Sequence, residues 1–404
     1  MNTEKYIYRL KEVANIGAGN SAPQNEELFK NGIYPFIRTS DVGKIHLGSI
    51  SESRDKLNKE GIKGLKFFKK GTILFPKSGA STFLNHRVIM EIDGYVASHL
   101  ATIKAKEDLL DDRYLLYFLQ TLDSRSLVLD SDYPSLKLAT IEDIELYLPP
   151  LSVQKQIVEK LDAAFADIDK AISATEKNIE NAEALFQSYL NQIFETKGEG
   201  WESSTIEEAF LINPPKSELK EILLNSQVSF MGMNKLGINQ KYSIPEEARD
   251  LEKVFKNYTY FRENDVLLAK ITPCFENGKL GIAKELKNGI GFGSSEFVVL
   301  RTKSSISNEW LYYFLLRDEF RESGKEVMTG AVGHKRVPKE FIEKSVIDFP
   351  KLKSQEYIIT NLESLQDKTS KLKELSKDKI NNLIALKSSL LSQAFSGEFT
   401  KDVA

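Results

Sequence analysis

The chain has 404 residues, of which 41% are hydrophobic and 28% are charged, with a formal net charge of −3. These totals are typical of a globular protein with two or three domains. They exclude binding of nucleic acid through overall positive charge, so any DNA-binding face must come from uneven placement of basic residues.

The numbers of cysteine and histidine residues restrict the possible classes of protein further. A single cysteine, Cys274, excludes an internal disulfide framework and suits a reducing compartment, so we expect a cytoplasmic protein. No run of residues reaches membrane-spanning length. The four histidines and the cysteine lack zinc-ligand spacing, so we predict no metal and no cofactor.

The first predicted domain covers residues 1–147. Its strands are short, rich in β-branched and aromatic residues, and bounded by Gly, Pro or Ser; they are predicted at 35–43, 71–79, 87–92 and 95–103. A helix with the sequence YLLYFL at its centre follows over residues 111–122.

A long amphipathic helix is predicted over residues 148–197. Pro149 and Pro150 end the preceding element, and hydrophobic residues then recur at heptad spacing well past the length of an ordinary globular helix. The predicted seam contains Leu151, Val158, Leu161, Phe165, Ile168, Ile172, Ile179, Phe186 and Ile193. A seam of this length needs a partner helix.

The partner lies in the same chain, because the sequence repeats after an offset of 201 residues. Without a gap, the offset aligns Pro149 with Pro350, Gln154 with Gln355, Leu161 with Leu362 and Phe194 with Phe395. Unrelated amphipathic helices share apolar spacing but not Pro and Gln positions, so the repeat is genuine. The second helix falls within residues 349–404, with predicted packing residues Ile358, Leu362, Leu365, Leu372, Leu383, Leu386 and Leu390.

A second domain over residues 198–348 repeats the order of the first. Its predicted strands at 229–237, 265–270 and 295–300 and its helix at 310–315 each have a counterpart in the first domain. The predicted fold class is therefore α+β. Two mixed α/β domains are separated by two long antiparallel helices that form an intramolecular coiled coil, with a pseudo-twofold internal repeat. Each helix is expected to be about 70 Å long and to fix the spacing of the domains.

Several segments resemble specificity subunits of Type I restriction–modification systems. Residues 148–158 (LPPLSVQKQIV) are similar to the start of that family's central conserved helix, and residues 265–279 and 294–297 to its target recognition domain strands. The resemblance implies target recognition domains at 1–147 and 198–348, with central and C-terminal conserved helical arms at 148–197 and 349–404.

The resemblance also implies the function. It implies a non-catalytic chain, without catalytic residues, that binds a bipartite double-stranded DNA target, one half-site per domain. The helices would recruit two methyltransferase subunits and the restriction subunits, which carry the adenine methyltransferase and endonuclease activities. The two halves differ where His99 stands in the place of Glu296.

Basic and small polar residues follow or flank equivalent predicted strands. Lys and Arg neutralise phosphates, while Asn, Ser, Thr and Arg can read base edges. A lysine cluster alone is more often a solvated face, but the equivalent positions of Lys77 and Lys270, together with the resemblance, favour DNA. The candidate DNA-binding residues are Lys69, Lys70, Lys77, Ser78, Ser81, Thr82, Lys270, Thr272, Asn277, Lys279, His334, Lys335 and Arg336.

Aromatic residues near the arms predict a partner surface. They exceed what a two-helix seam can bury, and such exposed apolar surface commonly marks a docking site, here for methyltransferase helices. These residues are Tyr117, Phe118, Phe186, Tyr189, Tyr313 and Phe314.

Two other functions stay open. Asn213–Lys216 (NPPK) resembles the Asn-Pro-Pro-aromatic motif of a self-contained DNA adenine methyltransferase, but Lys216 replaces the aromatic residue that stacks on the flipped base, so a proline-rich loop is favoured. A coiled-coil interaction protein without DNA binding is the other alternative.

Overall fold

The computed structural model describes residues 7–45, 47–78, 80–128, 135–303, 305–331 and 333–396. The chain divides into two compact units: unit 1 comprises Met1–Thr175 and Asp378–Ala404, and unit 2 comprises Glu176–Lys377. The boundary falls inside both long helices, so each unit contains part of each helix.

Unit 1 is a mixed α/β unit. Its elements in chain order are β1 (Ile7–Arg9), α1 (Leu10–Val13), β2 (Ala14–Ala18), β3 (Tyr34–Ile37), α2 (Thr39–Val42), β4 (Leu47–Ile50), β5 (Asp55–Leu57), β6 (Ile73–Pro76), β7 (Arg87–Met90), β8 (Tyr95–Val96), β9 (Leu100–Ala105), α3 (Asp112–Gln120), α4 (Ser124–Leu127), α5 (Leu138–Glu142), β10 (Glu145–Tyr147) and the first part of α6 (Leu151–Glu195).

Unit 2 begins with the last part of α6. There follow β11 (Glu202–Thr205), α7 (Ile206–Ala209), β12 (Phe210–Ile212), β13 (Gln227–Met231), β14 (Tyr242–Ser243), β15 (Glu247–Asp250), α8 (Leu251–Phe255), β16 (Thr259–Arg262), β17 (Val266–Ala269), β18 (Leu280–Ala283), β19 (Ile290–Gly293), β20 (Phe297–Thr302), α9 (Asn308–Leu316), α10 (Asp318–Glu326), α11 (Lys339–Lys344), β21 (Val346–Phe349) and the first part of α12 (Leu352–Phe395).

Both units are built on the same five-stranded sheet. The strand order is β2-β9-β6-β7-β4 in unit 1 and β12-β20-β17-β18-β14 in unit 2. In each sheet the last pair is parallel and the other pairs are antiparallel. The second sheets, β5-β3-β8 and β15-β13-β19-β16, correspond except for one added strand. The predicted internal repeat and fold class are confirmed.

A fully buried glutamine ties the long helices to each unit. Gln154 Nε2 donates to the carbonyls of Leu109 (2.9 Å) and Pro149 (2.7 Å), and its Oε1 accepts from the Asp111 N–H at 2.8 Å. Gln355 makes the equivalent three bonds in unit 2, to Ser305, Pro350 and Ser307. Because buried polar groups need partners, this glutamine fixes how α3 and α9 meet the helices.

The two long helices pack against each other inside each unit. Unit 1 holds the start of α6 with the end of α12, and unit 2 the reverse, which requires antiparallel helices. Most predicted packing residues lie in or against the two largest cores. In unit 1 these are Val158, Leu161, Phe165, Ile168, Ile172, Leu383 and Leu390, and in unit 2 Phe186, Ile193, Ile358, Leu362 and Leu365. Leu151 and Ile179 are half-buried.

The predicted packing does not extend to Leu372 and Leu386, which are 44% and 45% exposed. The half-buried positions beside them are occupied by Lys373 and Lys387. These lysines form ion pairs across the helix pair, with Glu183 in unit 2 and Asp169 in unit 1. Ion pairing therefore replaces leucine packing at both positions.

The aromatic residues predicted to form a partner surface are buried, with Tyr189 as the exception. The prediction was wrong because α3 and α9 lie between the sheet and the long helices, where aromatic rings fill the space. Phe395 packs on Tyr114 and Phe118 in unit 1, with ring centroids 5.0 and 5.7 Å apart. Phe194 packs in the same way on α9 of unit 2.

The exposed apolar side chains of the long helices are a different set. They are Leu185, Tyr189, Leu352, Tyr357, Leu372 and Leu375 in unit 2, and Ile384 and Leu386 in unit 1. In unit 2, Leu185 and Tyr189 line a shallow groove with Leu365 and Lys368 of the facing helix.

Candidate nucleic-acid interface

In unit 2, three chain segments meet at the carboxyl end of β17. The Lys270 N–H donates to the Glu296 carbonyl at 3.0 Å, and the Lys270 carbonyl accepts from the Val337 N–H at 2.9 Å. The Thr272 N–H donates to the Lys335 carbonyl at 2.9 Å. The structure therefore brings together Lys270, Thr272, Lys335 and Arg336, which are distant in sequence.

The side chains of Arg336 and Glu296 form a bidentate ion pair at this edge. Arg336 donates through Nε (2.9 Å) and Nη2 (2.7 Å) to the two carboxylate oxygens of Glu296. The Arg336 guanidinium holds the pKa of Glu296 below its ordinary value, with Lys270 adding a smaller effect of the same sign. Arg336 nevertheless stays 48% exposed, so the pair faces solvent.

The other candidates of unit 2 flank this edge. His334, Lys335 and Asn277 are exposed. Lys279 Nζ donates to the Met233 carbonyl at 2.6 Å, so that lysine is engaged within the unit. Of these four, only His334 and Lys335 lie directly beside Arg336.

Unit 1 forms the same edge with other side chains. The Lys77 N–H donates to the His99 carbonyl at 3.0 Å, and the Lys77 carbonyl accepts from the Leu136 N–H at 2.8 Å. His99 Nδ1 lies 2.7 Å from Ser78 Oγ, and Ser81 Oγ donates to the Ser78 carbonyl at 3.1 Å. Lys77, Ser78 and Ser81 are thus gathered around His99.

Three candidates of unit 1 do not belong to this edge. Thr82 is fully buried, so it cannot contact DNA in this conformation. Lys69 and Lys70 precede β6, at the opposite end of the strand from Lys77. Lys70 lines a cavity with Asp162 of α6, which places it at the long-helix end of the sheet.

Sequence reasoning missed His99 and Glu296 as members of the site. Both lie in the same backbone position, because each carbonyl accepts from the lysine that ends the central strand. The signal was present in the aligned halves, where His99 replaces Glu296. Only the fold shows that this difference faces Ser78 in one unit and Arg336 in the other.

The methyltransferase-like motif is structural. Asn213 Oδ1 accepts from the Val299 N–H at 3.0 Å, which fastens the loop to β20. Lys216 lies over the rings of Phe255 and Phe292. The Asn213 side chain is therefore engaged in a hydrogen bond within the protein.

In the described ranges no cluster of His, Cys, Asp and Glu has metal-binding geometry. Nor does any helix in those ranges combine the length and apolarity needed to cross a membrane.

Comparison with known families identifies the fold. Residues 2–181 and 198–382 both match the family described as Type I restriction modification DNA specificity domain. The chain belongs to this family. The two matches cover the two halves of the repeat.

Individual specificity subunits show how far the likeness extends. The chain is 38% identical to the Type I restriction enzyme EcoAI specificity subunit of Escherichia coli over 179 residues, which cover 44% of this chain and 30% of that subunit. It therefore spans less than a third of that relative. It is 23% identical to the MjaVIII specificity subunit of Methanocaldococcus jannaschii over 391 residues, covering 89% and 86% of the two chains.

A solved structure shares the whole fold. It is described as the structural basis of complex assembly and conformational transition of the type I R-M system, and it superposes with a TM-score of 0.72. Its sequence is 19% identical, and the match covers 96% of this chain and 97% of the other.

Proposed function

We propose that this chain is the DNA sequence-recognition subunit of a Type I restriction–modification complex. One observation carries the proposal. The two units present the same strand-end edge with different side chains, Ser78 and His99 in one and Glu296 and Arg336 in the other. A shared frame with unlike polar groups suits two half-sites of different sequence.

The residue roles follow from this placement. Lys77, Lys270 and Lys335 would contact phosphates, and base edges would be contacted by Ser78, Ser81, Thr272, Asn277, His334 and Arg336. The domain limits 1–147, 148–197, 198–348 and 349–404 belong to the same proposal. So do a non-catalytic role and a cytoplasmic location.

The partner proposal rests on the exposed side chains of the long helices. Leu185 and Tyr189 in unit 2 leave an apolar strip beside the seam, and exposed apolar surface of this kind suits a helix of a partner protein. We propose that two methyltransferase subunits dock on the helices and that restriction subunits join the complex. The adenine methyltransferase and endonuclease activities would then belong to those partners.

Salt-dependent binding tests the DNA role. The full chain should bind duplexes from a random pool, and a plot of log affinity against log salt concentration should have a slope of about −3 for the three phosphate contacts of Lys77, Lys270 and Lys335. Lys335→Ala should reduce that slope by about 1. Lys344→Ala removes an exposed lysine that is paired with Glu340 on α11 and should leave the slope unchanged. A flat salt response would favour the coiled-coil interaction protein instead.

Exchange of one domain tests whether each unit recognises its own half-site. Replacing residues 1–147 by the corresponding segment of another specificity subunit should change one half of the selected bipartite sequence and leave the other half intact, because each unit has its own edge and core. Selection of bound duplexes followed by sequencing reads out both halves. A change in both halves would contradict independent reading.

A further inference from the structure

The Glu296–Arg336 pair has a geometry that leaves one edge of the guanidinium available. Glu296 accepts from Nε and Nη2, which form one side of the fork. Among the residues that the structure describes, Nη1 makes only a long contact of 3.3 Å, to the His334 carbonyl. The second N–H of Nη2 and the adjacent N–H of Nη1, at the tip of the side chain, are therefore directed away from Glu296.

The backbone beneath Arg336 is fixed as well. The Arg336 N–H donates to the Thr329 carbonyl at 2.8 Å, and its carbonyl accepts from the Thr329 N–H at 3.0 Å. Arg336 also forms a bridge with Ile271, directly after β17. Both ends of the side chain are thus held, one by paired backbone and the other by a carboxylate.

An arginine held in this way has a defined chemical preference. Two parallel N–H donors match O6 and N7 of guanine in the major groove, which is the commonest specific contact of arginine with a base. An unrestrained arginine loses side-chain entropy on making that contact, whereas one already ordered by a carboxylate loses less.

We propose that Arg336 reads one guanine in the half-site bound by unit 2, and that Glu296 is the positioning residue that orients its guanidinium. This inference rests on the proposed DNA-recognition function. Glu296 accepts only and faces Arg336, so it makes no base contact of its own in this arrangement.

Unit 1 has neither member of the pair. The bridge between Ile271 and Arg336 corresponds to one between Ser78 and Ser135, and His99 occupies the position of Glu296. Ser135 cannot make a bidentate contact with guanine. The guanine is therefore assigned to the half-site of unit 2 alone.

The experiment is selection of duplexes from a random pool by the full chain, with the half-site of each unit assigned by domain exchange. The wild type should show one strongly preferred guanine in the half-site of unit 2. Arg336→Lys keeps the charge but loses the planar fork, so discrimination at that position should fall about 10- to 100-fold with an unchanged salt slope. Lys335→Ala should instead weaken binding to all sequences evenly.

Variants of the Glu296–Arg336 pair distinguish a role in base recognition from a role in stability. E296Q should lower discrimination at the same position only. The charge swap E296R/R336E rebuilds the ion pair, so it should unfold at the wild-type temperature and yet lose the guanine preference. Retention of every base preference in both R336K and the swap would overturn the inference while leaving the proposed function intact. A wild type that selects no motif would overturn both.

Discussion

Arg301→Ala is expected to destabilise unit 2 by about 3–5 kcal/mol near neutral pH. Arg301 donates through Nε and Nη2 to the two carboxylate oxygens of Asp265, both at 2.7 Å, and Asp265 is only 1% exposed. Nη1 reaches Glu218 at 2.8 Å. Removing the guanidinium leaves a buried carboxylate without its cation, which costs far more than an exposed ion pair contributes.

The loss of stability caused by Arg301→Ala should depend on pH. Burial raises the pKa of Asp265 above its ordinary value even with Arg301 present, and loss of Arg301 removes an influence that lowers it. A folded-state pKa above the unfolded one means that the folded state holds the proton more tightly. The destabilisation caused by Arg301→Ala is therefore greatest above the folded-state pKa of Asp265, and it becomes smaller as the pH falls through that pKa.

Urea denaturation of the full chain at several pH values measures this effect. In D265N/R301A the buried charge is absent, so the double variant should be more stable than R301A at neutral pH and should lack its pH dependence. Lys253→Ala, which removes an exposed partner of Asp250, should change stability little at any pH. A deficit of R301A that does not vary with pH would contradict the buried-charge explanation.

Gln154→Ala is expected to destabilise unit 1 by about 3 kcal/mol, because it leaves one buried and two partly buried backbone groups without their partner. They are the carbonyls of Leu109 and Pro149 and the N–H of Asp111. Gln156, two residues further along α6, is exposed, so Gln156→Ala is the matched control and should have little effect.

Hydrogen exchange can show which helix each glutamine substitution destabilises. Q154A should raise exchange in α3 of unit 1, and Gln355→Ala should do the same in α9 of unit 2, since each glutamine serves its own unit. Q154E would place a buried carboxylate oxygen against the carbonyls of Leu109 and Pro149, so that variant should be no more stable than Q154A at neutral pH. If either single substitution raised hydrogen exchange equally in α3 and α9, the hypothesis that each glutamine stabilises only its own unit would be refuted.

Local patterns in the sequence predicted the long helices, their repeat and the central strands of both sheets. Heptad spacing can be read from the sequence because it depends on neighbours along one helix. The alignment of Gln154 with Gln355 can be read because it needs only a comparison of the two halves of the chain. The failures concern tertiary placement. Lys69 and Lys77 flank one strand, but only the fold decides which end of that strand faces α6.

Burial was hard to predict for a related reason. Tyr117 and Phe118 are consecutive aromatic residues, which on an isolated helix would leave one exposed. Both are buried because α3 contacts other elements on more than one side. Leu372 is exposed because the lysine that follows it takes its place beside α6 through an ion pair.

The division of the chain has a consequence for biosynthesis. Unit 2 is one uninterrupted stretch, Glu176–Lys377, whereas unit 1 is completed only by the segment that begins at Asp378. Since a ribosome delivers the chain from its amino end, unit 2 can reach its final structure while unit 1 still lacks Leu391 and Ala394 from its core. The domain that is started first is finished last, and a premature stop codon near position 378 would damage the amino-terminal half of the protein.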